Sequence, residues 1–197
     1  RVELAEHVPD ERDATIAALG RALAAADVVC VSGGVSVGEH DHVKAALATL
    51  GAQERFWGIA LKPGKPTWFG TGGAAPADRD TLVFGLPGNP VSAMVTFHLL
   101  ARPAIRALAG ADPADTRVEA TLDAPVRLSP AREQAIRCRL AARDDGWHVE
   151  PTKAQGSHVL TSMLGAGALA LLPAGDGTLA AGARVTAELL PAGTLSA

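Results

Sequence analysis

Three turn motifs in this sequence each follow an apolar run and combine glycine amides with hydroxyl, carboxamide or ammonium groups. They are Ser32-Gly33-Gly34-Val35-Ser36-Val37-Gly38, Lys62-Pro63-Gly64-Lys65-Pro66 and Gly85-Leu86-Pro87-Gly88-Asn89-Pro90. In an open α/β sheet, groups of this kind bind anionic small molecules beyond the carboxyl ends of the strands. The sequence therefore predicts a ligand site for an anion at one edge of a sheet.

The first motif has the composition of a phosphate-binding turn. Gly33 and Gly34 tolerate positive φ and close backbone approach, so successive amides could form a concave nest, with hydroxyls from Ser32 and Ser36. A few residues later, Asp41 is either a helix cap or a carboxylate that holds a divalent cation against a bound phosphate. Both interpretations of Asp41 remain open at this point.

The other two motifs offer positive charge and a helix start. Lys62 and Lys65 are two of the four lysines in the chain, and the prolines around them would preorganise their charge for an oxyanion. Two solvated turn lysines are the alternative. Asn89 suits the cap of a helix that begins at Pro90, whose first free amides could bind a phosphate or carboxylate, although a plain strand-to-helix turn needs the same residues.

These motifs require an alternation of strands and helices in the first part of the chain. Apolar spacing predicts a helix over 10–26 capped by Asp10, and a second helix that begins at Asp41. The expected strands are residues 27–32, 56–61 and 81–86. A helix over 90–108 should be interrupted near Pro103. The segment 70–80 is expected to be a flexible hairpin excursion.

After Gly110 the hydrophobic period changes from about 3.6 to 2 residues. The predicted strands there are 118–122, 135–140, 147–150, 168–172 and 184–190. Closely spaced turns between them fit a small all-β barrel or sandwich. We therefore predict an α/β domain over residues 1–112 and a β-barrel domain over residues 113–197.

Composition limits the class of protein. The 197 residues are 48% hydrophobic and 20% charged with a net charge of -3, which is typical of a soluble globular protein without a nucleic-acid partner. No apolar run is long enough to span a bilayer, so a cytoplasmic protein is expected. Cys30 and Cys138 are predicted to be buried, reduced thiols. Because the chain opens on Arg1 rather than methionine, we expect a piece of a longer protein.

Several residues have a structural interpretation as their default. His40, His42 and His158 lack the spacing of a zinc site and are expected to be surface or turn histidines. The three tryptophans, Trp57, Trp68 and Trp147, should cover the core, although Trp68 follows the lysine motif and could line a ligand pocket. A basic stretch that is expected to form a solvated strand face consists of Arg132, Arg137, Arg139 and Arg143.

The segments SGGVSVGEHD, LKPGKP and GLPGNPVSA resemble the molybdopterin molybdenumtransferase family, which includes MoeA and the E domains of gephyrin and Cnx1. The resemblance implies a three-layer, MogA-like molybdopterin-binding domain followed by the family's C-terminal β-barrel, without the family's two N-terminal domains. It implies insertion of molybdate into adenylylated molybdopterin with release of AMP, and magnesium as the metal. Gly58 stands where family members usually have a basic residue.

The resemblance also assigns residues. It implies that Asp41, Lys62 and Asp10 are catalytic, with Asp41 on magnesium. The molybdate ligands would be Lys62, Lys65, Arg137 and Ser157. Molybdopterin and its phosphate would contact Ser32, Gly33, Gly34, Ser36, Gly38, Pro87, Gly88, Asn89 and Ser92.

Partners follow from the same resemblance. A homodimer of the full-length protein and contact with a molybdopterin adenylyltransferase are expected. Two other functions stay open. One is a pterin-binding or scaffolding module without catalysis, and the other is a nucleotide enzyme of the molybdopterin adenylyltransferase type.

Overall fold

The computed structural model describes residues 1–35, 42–72, 80–114 and 116–191. They form two compact units, of which the first contains Arg1–Ile59 and Gly64–Gly88, and the second contains Ala60–Pro63 and the chain from Asn89 onward. The helices after residue 89 belong to the second unit because Val91 and Val95 share a core with Ala135 and Leu169. The predicted domain boundary at residue 112 stays a prediction.

The first unit is a mixed four-stranded sheet with two helices. The strand order is β1-β5-β4-β2, in which β1 runs parallel to β5 and the other neighbours are antiparallel. Leu19 and Leu23 of the first helix pack with Leu47 of the second against Val29 and Val83 of the sheet. The elements are α1 (Arg12–Ala25), β1 (Val28–Ser32), α2 (His42–Thr49), β2 (Gln53–Trp57), β4 (Trp68–Gly72) and β5 (Thr81–Leu86).

Two predicted elements in this unit are shifted. The strand expected over 56–61 is replaced by β2 and, after a break, by the two-residue strand β3 (Leu61–Lys62) of the second unit. Gly58 lies in that break with a φ of 82°. A continuous strand cannot accommodate this positive φ. The first helix is capped by Glu11 rather than Asp10, and without a side-chain hydrogen bond, so the predicted Asp10 cap is wrong.

The two cysteines differ in environment. Both are free, but Cys30 is exposed whereas Cys138 is buried inside the barrel, where burial raises the pKa of its thiol to about 12. The predicted burial of Cys30 is wrong, because alternate side chains of β1 point to opposite faces of the sheet, and Cys30 is on the face opposite Val29, which packs with α1 and α2. An apolar sequence does not reveal which face of a strand is covered.

The second unit begins with a helical run in three parts, α3 (Pro90–Thr96), a π-helical turn (Phe97–Ala101) and α4 (Arg102–Leu108). The predicted interruption near Pro103 is thus confirmed as a π-helical turn. Proline has no amide proton and its ring collides with the carbonyl four residues earlier, so the wider turn before Pro103 accommodates it without ending the run.

Five long strands of the second unit close a barrel. Each strand pairs with the next in the order β10-β12-β6-β9-β8, and β8 pairs with β10 to close the ring. Ile136, Cys138, Val149 and Val185 fill the interior. The barrel strands are β6 (Arg117–Leu122), β8 (Glu133–Arg143), β9 (Gly146–Pro151), β10 (Ala168–Leu172) and β12 (Arg184–Leu189), and the short strands β7 (Val126–Arg127) and β11 (Thr178–Leu179) pair with each other.

Because side chains alternate along a strand, the barrel has an inner and an outer face. Ala135 and Leu169 are on the outer face, where they pack with Val91, Val95 and Met163 in a separate core. Met163 belongs to a short 3-10 helix, Leu160–Met163. The outer face of β8 around Ala135 and of β10 around Leu169 is therefore buried under the helical run and under the chain that follows β9.

Candidate functional site

The glycine turn of the first unit joins the carboxyl ends of β1 and β5. Gly33 and Gly34 have φ values of 91° and 67°, and the Gly33 amide donates a hydrogen bond of 3.0 Å to the Leu86 carbonyl. A Cβ atom on Gly88 would lie 3.4 Å from the Gly33 Cα, so the two turns touch through their backbones. The Gly33 amide is therefore already used within the protein and is not free for a phosphate.

Of the other residues predicted for this turn, the structure describes the contacts of Ser32. The Ser32 hydroxyl donates to the Pro87 carbonyl at 3.3 Å, which leaves its lone pairs free to accept a hydrogen bond. Ser36, Gly38 and Asp41 lie outside the described residues. The two turns therefore come together as the sequence predicts, and the roles given to their residues remain predictions.

Trp57 holds the end of the glycine turn. Its indole Nε1 donates a hydrogen bond of 2.9 Å to the Val35 carbonyl, and the Lys44 ammonium lies 4.1 Å from the centre of its ring. Trp57 is 42% exposed, so it does not cover the core as expected, whereas Trp68 is 2% exposed and does. Trp147, 37% exposed, is also a partial exception.

Asp10 lies at the same end of the first unit as the glycine turn. The last turn of α1 adjoins the start of β5, where the Thr81 hydroxyl donates to the Ala26 carbonyl at 2.8 Å. The 14-residue helix extends from there for about 20 Å, which brings its start to the end of the sheet where β1 and β5 finish. Asp10 is exposed just before that start.

Arg137 is the central residue of the second unit's polar site. It is fully buried, and its Nη2 lies 3.5 Å from both the Ala154 and the Gly156 carbonyl oxygens. Among the described residues, its Nε has no hydrogen-bond partner. Burial lowers the pKa of the guanidinium, yet at neutral pH the group stays charged. A buried cation with an unused donor is thus available to an anion.

Arg137 departs from the expected solvated face. Arg139, two residues later on the same face of β8, has a side chain 74% exposed and forms an ion pair with Glu150 at 3.7 Å. Arg137 instead lies beneath the segment 152–157, which follows the end of β9. Strand alternation gives the two arginines the same direction, and only the covering segment distinguishes them.

Ser157 and Asn89 form the second part of this polar site. The Asn89 Nδ2 donates a weak hydrogen bond of 3.4 Å to the Ser157 hydroxyl. The Asn89 Oδ1 is buried and has no partner in the part of the chain that the structure describes. Asn89 precedes α3 as predicted, but its side chain does not cap the helix. The structure thus joins a residue predicted for pterin with one predicted for molybdate. Ser92 is buried within α3.

The two lysines are not joined to these groups by a described hydrogen bond or ion pair. Lys62 and Lys65 are both exposed, and they belong to the second and the first unit, respectively. In the pairing of β3 with β8, Leu61 lies opposite Glu133 and Lys62 opposite Gln134. Leu61 therefore shares the face of Arg137, while Lys62 is on the other face.

Within the described ranges, the structure contains no cluster of three or more His, Cys, Asp or Glu side chains arranged to hold a metal ion. The predicted magnesium ligand, Asp41, is outside those ranges. Among the helices of the described residues, none combines the length and the apolar character needed to cross a membrane.

Comparison with known proteins agrees with this architecture. Residues 1–107 match the family of probable molybdopterin binding domains, and residues 119–190 match the MoeA C-terminal region, domain IV. The first match covers more than half of the 197 residues, so the chain belongs to this molybdopterin-binding family. The resemblance recognised in the sequence is confirmed.

Individual relatives place the chain more closely. A molybdopterin molybdenumtransferase from Haemophilus influenzae is 38% identical over 168 residues, which are 83% of this chain and 39% of the relative. The cinnamon molybdenum cofactor synthesis protein from Drosophila melanogaster is 38% identical over 154 residues, which are 75% of this chain and 24% of the relative. The chain therefore spans well under half the length of either.

A solved structure supports the fold. A MoeA protein from Pyrococcus horikoshii has a TM-score of 0.72 and 28% identity, with 92% of this chain and 42% of that chain covered. The predicted fold class, a MogA-like α/β domain followed by a small barrel, is confirmed by this likeness and by the closed ring of five strands.

Sequence reasoning did not single out Gln155. Its side-chain amide hydrogen bonds to both backbone groups of Arg137. The only sequence signal was its position two residues before the predicted site residue Ser157. Trp57 was expected to cover the core. Its hydrogen bond to Val35 of the glycine turn, 22 positions earlier, could not be inferred from the sequence.

Proposed function

We propose that this chain is the part of a molybdopterin molybdenumtransferase that binds molybdate and adenylylated molybdopterin, in a reaction that inserts molybdenum and releases AMP. The observation that carries the proposal is the buried guanidinium of Arg137, whose Nε has no partner, in the same unit as the Ser157–Asn89 pair. A buried cation with an unused hydrogen-bond donor destabilises the fold by about 1–3 kcal/mol, unless a ligand accepts the hydrogen bond.

The chemistry of molybdate suits these groups. Molybdate is a tetrahedral dianion, and charged or hydroxyl donors bind its oxygens through charge-assisted hydrogen bonds. Arg137 would donate from Nε and Ser157 from its hydroxyl, while Lys62 and Lys65 would add charge from the lysine turn. No protein nucleophile is needed, because the residues act by positioning the two substrates.

The first unit supplies groups for the pterin substrate. We infer that the turns after β1 and β5 bind its phosphate, through the Ser32 hydroxyl and the backbone amides of Gly34 and Gly88. Pro87 has no amide proton, so it would contribute only van der Waals contact. Ser36 and Gly38 complete this set, and the family resemblance adds Asn89 and Ser92, which belong to the second unit. The contact between Gly33 and Gly88 supports the inference, because backbones this close leave room for a ligand only outside the strand ends.

Further features of the proposal come from the family. We propose magnesium, held by Asp41 and assisted by Asp10, as the metal, a homodimer of the full-length protein, contact with a molybdopterin adenylyltransferase, and a cytoplasmic location. The α/β domain would end near residue 112 and the barrel domain would follow. The match of residues 119–190 to the MoeA C-terminal region favours this activity over an adenylyltransferase.

The test is molybdate-dependent release of AMP from adenylylated molybdopterin with magnesium, using the full-length protein that contains this chain. We expect Arg137→Met to raise the apparent Kd for molybdate at least tenfold, equivalent to about 1.4 kcal/mol. Arg139→Met is the matched control, because Arg139 is on the same strand face but is exposed. It should behave like the wild type.

The outcomes separate the functions. Release that both variants retain equally would overturn the assignment of Arg137. Tight pterin binding without any AMP release from the wild type would favour a pterin-binding or scaffolding module. Consumption of ATP in place of adenylylated pterin would favour the nucleotide enzyme.

A further inference from the structure

We propose that Gln155 is a positioning residue of the oxyanion site, and that its side chain holds Arg137 and the segment 154–157 in one arrangement. The proposal rests on the proposed function, in which Arg137 binds the oxyanion. Gln155 itself would not touch the anion. It would act through the backbone of Arg137.

The ladder around β8 leaves a gap at Arg137. On one edge of β8, β10 pairs with residues 134–138. On the other edge, β9 pairs with residues 138–143 and β3 pairs with residues 133 and 134. Residues 135–137 therefore lie opposite no described strand on that edge, and those of their backbone groups that point to it need other partners.

The Gln155 side chain fills this gap at residue 137. Its Oε1 accepts the Arg137 amide at 3.1 Å, and its Nε2 donates to the Arg137 carbonyl at 2.9 Å. A side-chain carboxamide has the same donor and acceptor as a peptide group, so it can replace one residue of a missing strand. The partners also fix the orientation of the amide, because Oε1 faces a donor and Nε2 faces acceptors.

The same side chain ties down the segment that covers Arg137. Gln155 Nε2 also donates to the Thr152 carbonyl at 2.9 Å and lies 3.0 Å from the Thr152 hydroxyl. The Thr152 amide in turn donates to the Arg137 carbonyl at 2.8 Å. The chain from Thr152 to Gln155 is thus closed into a compact loop on β8.

This loop sets the surroundings of the guanidinium. Ala154 and Gly156 flank Gln155 in sequence, and both of their carbonyl oxygens lie 3.5 Å from Arg137 Nη2. Ser157 follows immediately and receives the Asn89 hydrogen bond. Releasing Gln155 would therefore loosen the two carbonyls and the serine together. The unused Nε of Arg137 would lose its fixed direction.

The variant Gln155→Met removes the four polar contacts while nearly preserving length and volume. Gln134→Met is the matched control. Gln134 is also a buried glutamine of the barrel, with Oε1 accepting the Ser129 amide at 2.7 Å, but it is on the other face of β8 from Arg137. A general effect of losing a buried carboxamide would appear equally in both variants.

The first measurement needs no ligand. In full-length protein labelled with ¹⁵N-arginine, the Arg137 Nε–H signal, assigned by its loss in Arg137→Met, should be sharp and slowly exchanging with solvent. Gln155→Met should accelerate its exchange at least tenfold, and Gln134→Met should leave it unchanged. Equal exchange rates in the wild type and in Gln155→Met would overturn the proposal whether or not the protein binds molybdate.

The second measurement is a double-mutant cycle on the Kd for molybdate. Gln155→Met should raise Kd about tenfold in the wild-type background and leave it unchanged in the Arg137→Met background, because the effect passes through Arg137. A tenfold effect in both backgrounds would overturn the proposal. If Arg137→Met does not alter molybdate binding, the proposed function fails instead, and the exchange rates still decide the role of Gln155.

A milder variant keeps the proposal testable if Gln155→Met does not fold. Thr152→Val removes only the hydroxyl near Gln155 Nε2 and should give a change in exchange rate in the same direction but smaller. No change in Thr152→Val, together with an unfolded Gln155→Met, would count against the proposal.

Discussion

Two buried charges of opposite sign lie in one row across the outer face of the barrel. The protein neutralises one of them and leaves the other without a charged partner among the described residues. Arg137 on β8 pairs in register with Leu169 on β10, and Leu169 pairs with Glu188 on β12. Each charged residue is fully buried. Two strand spacings separate them by about 10 Å, with Leu169 between them.

Glu188 is fully supplied with partners. Its Oε1 accepts from the Thr116 hydroxyl at 2.5 Å and lies 3.5 Å from Arg102 Nη1, while its Oε2 accepts from Arg117 Nε at 3.1 Å. Arg137 has two distant carbonyls and one empty donor. A buried charge is therefore structural where the protein neutralises it, and it points to a ligand where the protein does not.

The surroundings increase the contrast. Two arginines around one glutamate give the Glu188 cluster a formal charge of +1, so it cannot neutralise Arg137. At 10 Å and an effective dielectric constant of 20, a unit charge acts on another with an energy of about 1.7 kcal/mol. The outer face of the barrel therefore favours an anion at Arg137.

The largest effect should follow from breaking the neutralised cluster. Glu188→Met leaves Arg102 and Arg117 without their buried acceptor, and removal of one partner from a buried pair costs about 3 kcal/mol or more. We expect the free energy of unfolding in urea to fall by that amount. Glu119→Met, on the exposed side of β6, is the control. A loss below about 1 kcal/mol would mean that Glu188 is not the electrostatic centre of the cluster.

Arg137→Met should have a smaller effect of opposite sign. It removes a desolvated cation that has no charged partner and puts an apolar side chain of similar length in its place, so the free energy of unfolding should rise by about 1 kcal/mol. Urea denaturation without ligand measures it. A stabilised variant with weakened molybdate binding would show that Arg137 is kept for function. Destabilisation would mean that the carbonyl contacts at 3.5 Å are structural.

Local pattern predicted most of the elements on which this contrast depends. The strand 168–172 has the predicted bounds, and the strand 184–190 ends one residue earlier than predicted. Period-2 alternation also correctly separates the inner face from the outer face of the barrel. The helix break was predictable because Pro103 has only a few ways to enter a helical run.

The environment of each charge was not predictable in the same way. Arg137 and Arg139 have the same alternation, and their difference depends on the segment 152–157 folding over only one of them. Glu188 likewise meets Thr116 across 72 positions of sequence. Such pairings depend on the closure of the barrel. The resemblance to a known family predicts Arg137 and Ser157 as site residues, which stays a prediction, and it gave no indication of Gln155.

A third charged cluster on the barrel contains a histidine, so the strength of its ion pairs depends on pH. His148 is 5% exposed, and its Nδ1 and Nε2 lie 2.7 Å and 2.9 Å from carboxylate oxygens of Asp123 and Asp145. Arg143 pairs with Asp123 at 2.6 Å. The hydrogen bond to Asp123 raises the pKa of His148, and the hydrogen bond to Asp145 adds to it. The hydrogen bond from His148 lowers the pKa of Asp123.

The smallest effect should therefore be a pH dependence of stability that tracks His148. Because the folded pKa is raised, the contribution is complete below about pH 6.5, the unfolded value, and is lost as pH rises through the folded value. Urea denaturation of the wild type at pH 6 and pH 8.5 should show lower stability at the higher pH, and His148→Gln should reduce that difference. The effect is modest because the Asp145 side chain is 71% exposed and screened by solvent. If His148→Gln shows the same difference in stability between the two pH values as the wild type, the pH dependence belongs to another group. The ion pairs of the His148 cluster would then be independent of pH, like those of the Glu188 cluster.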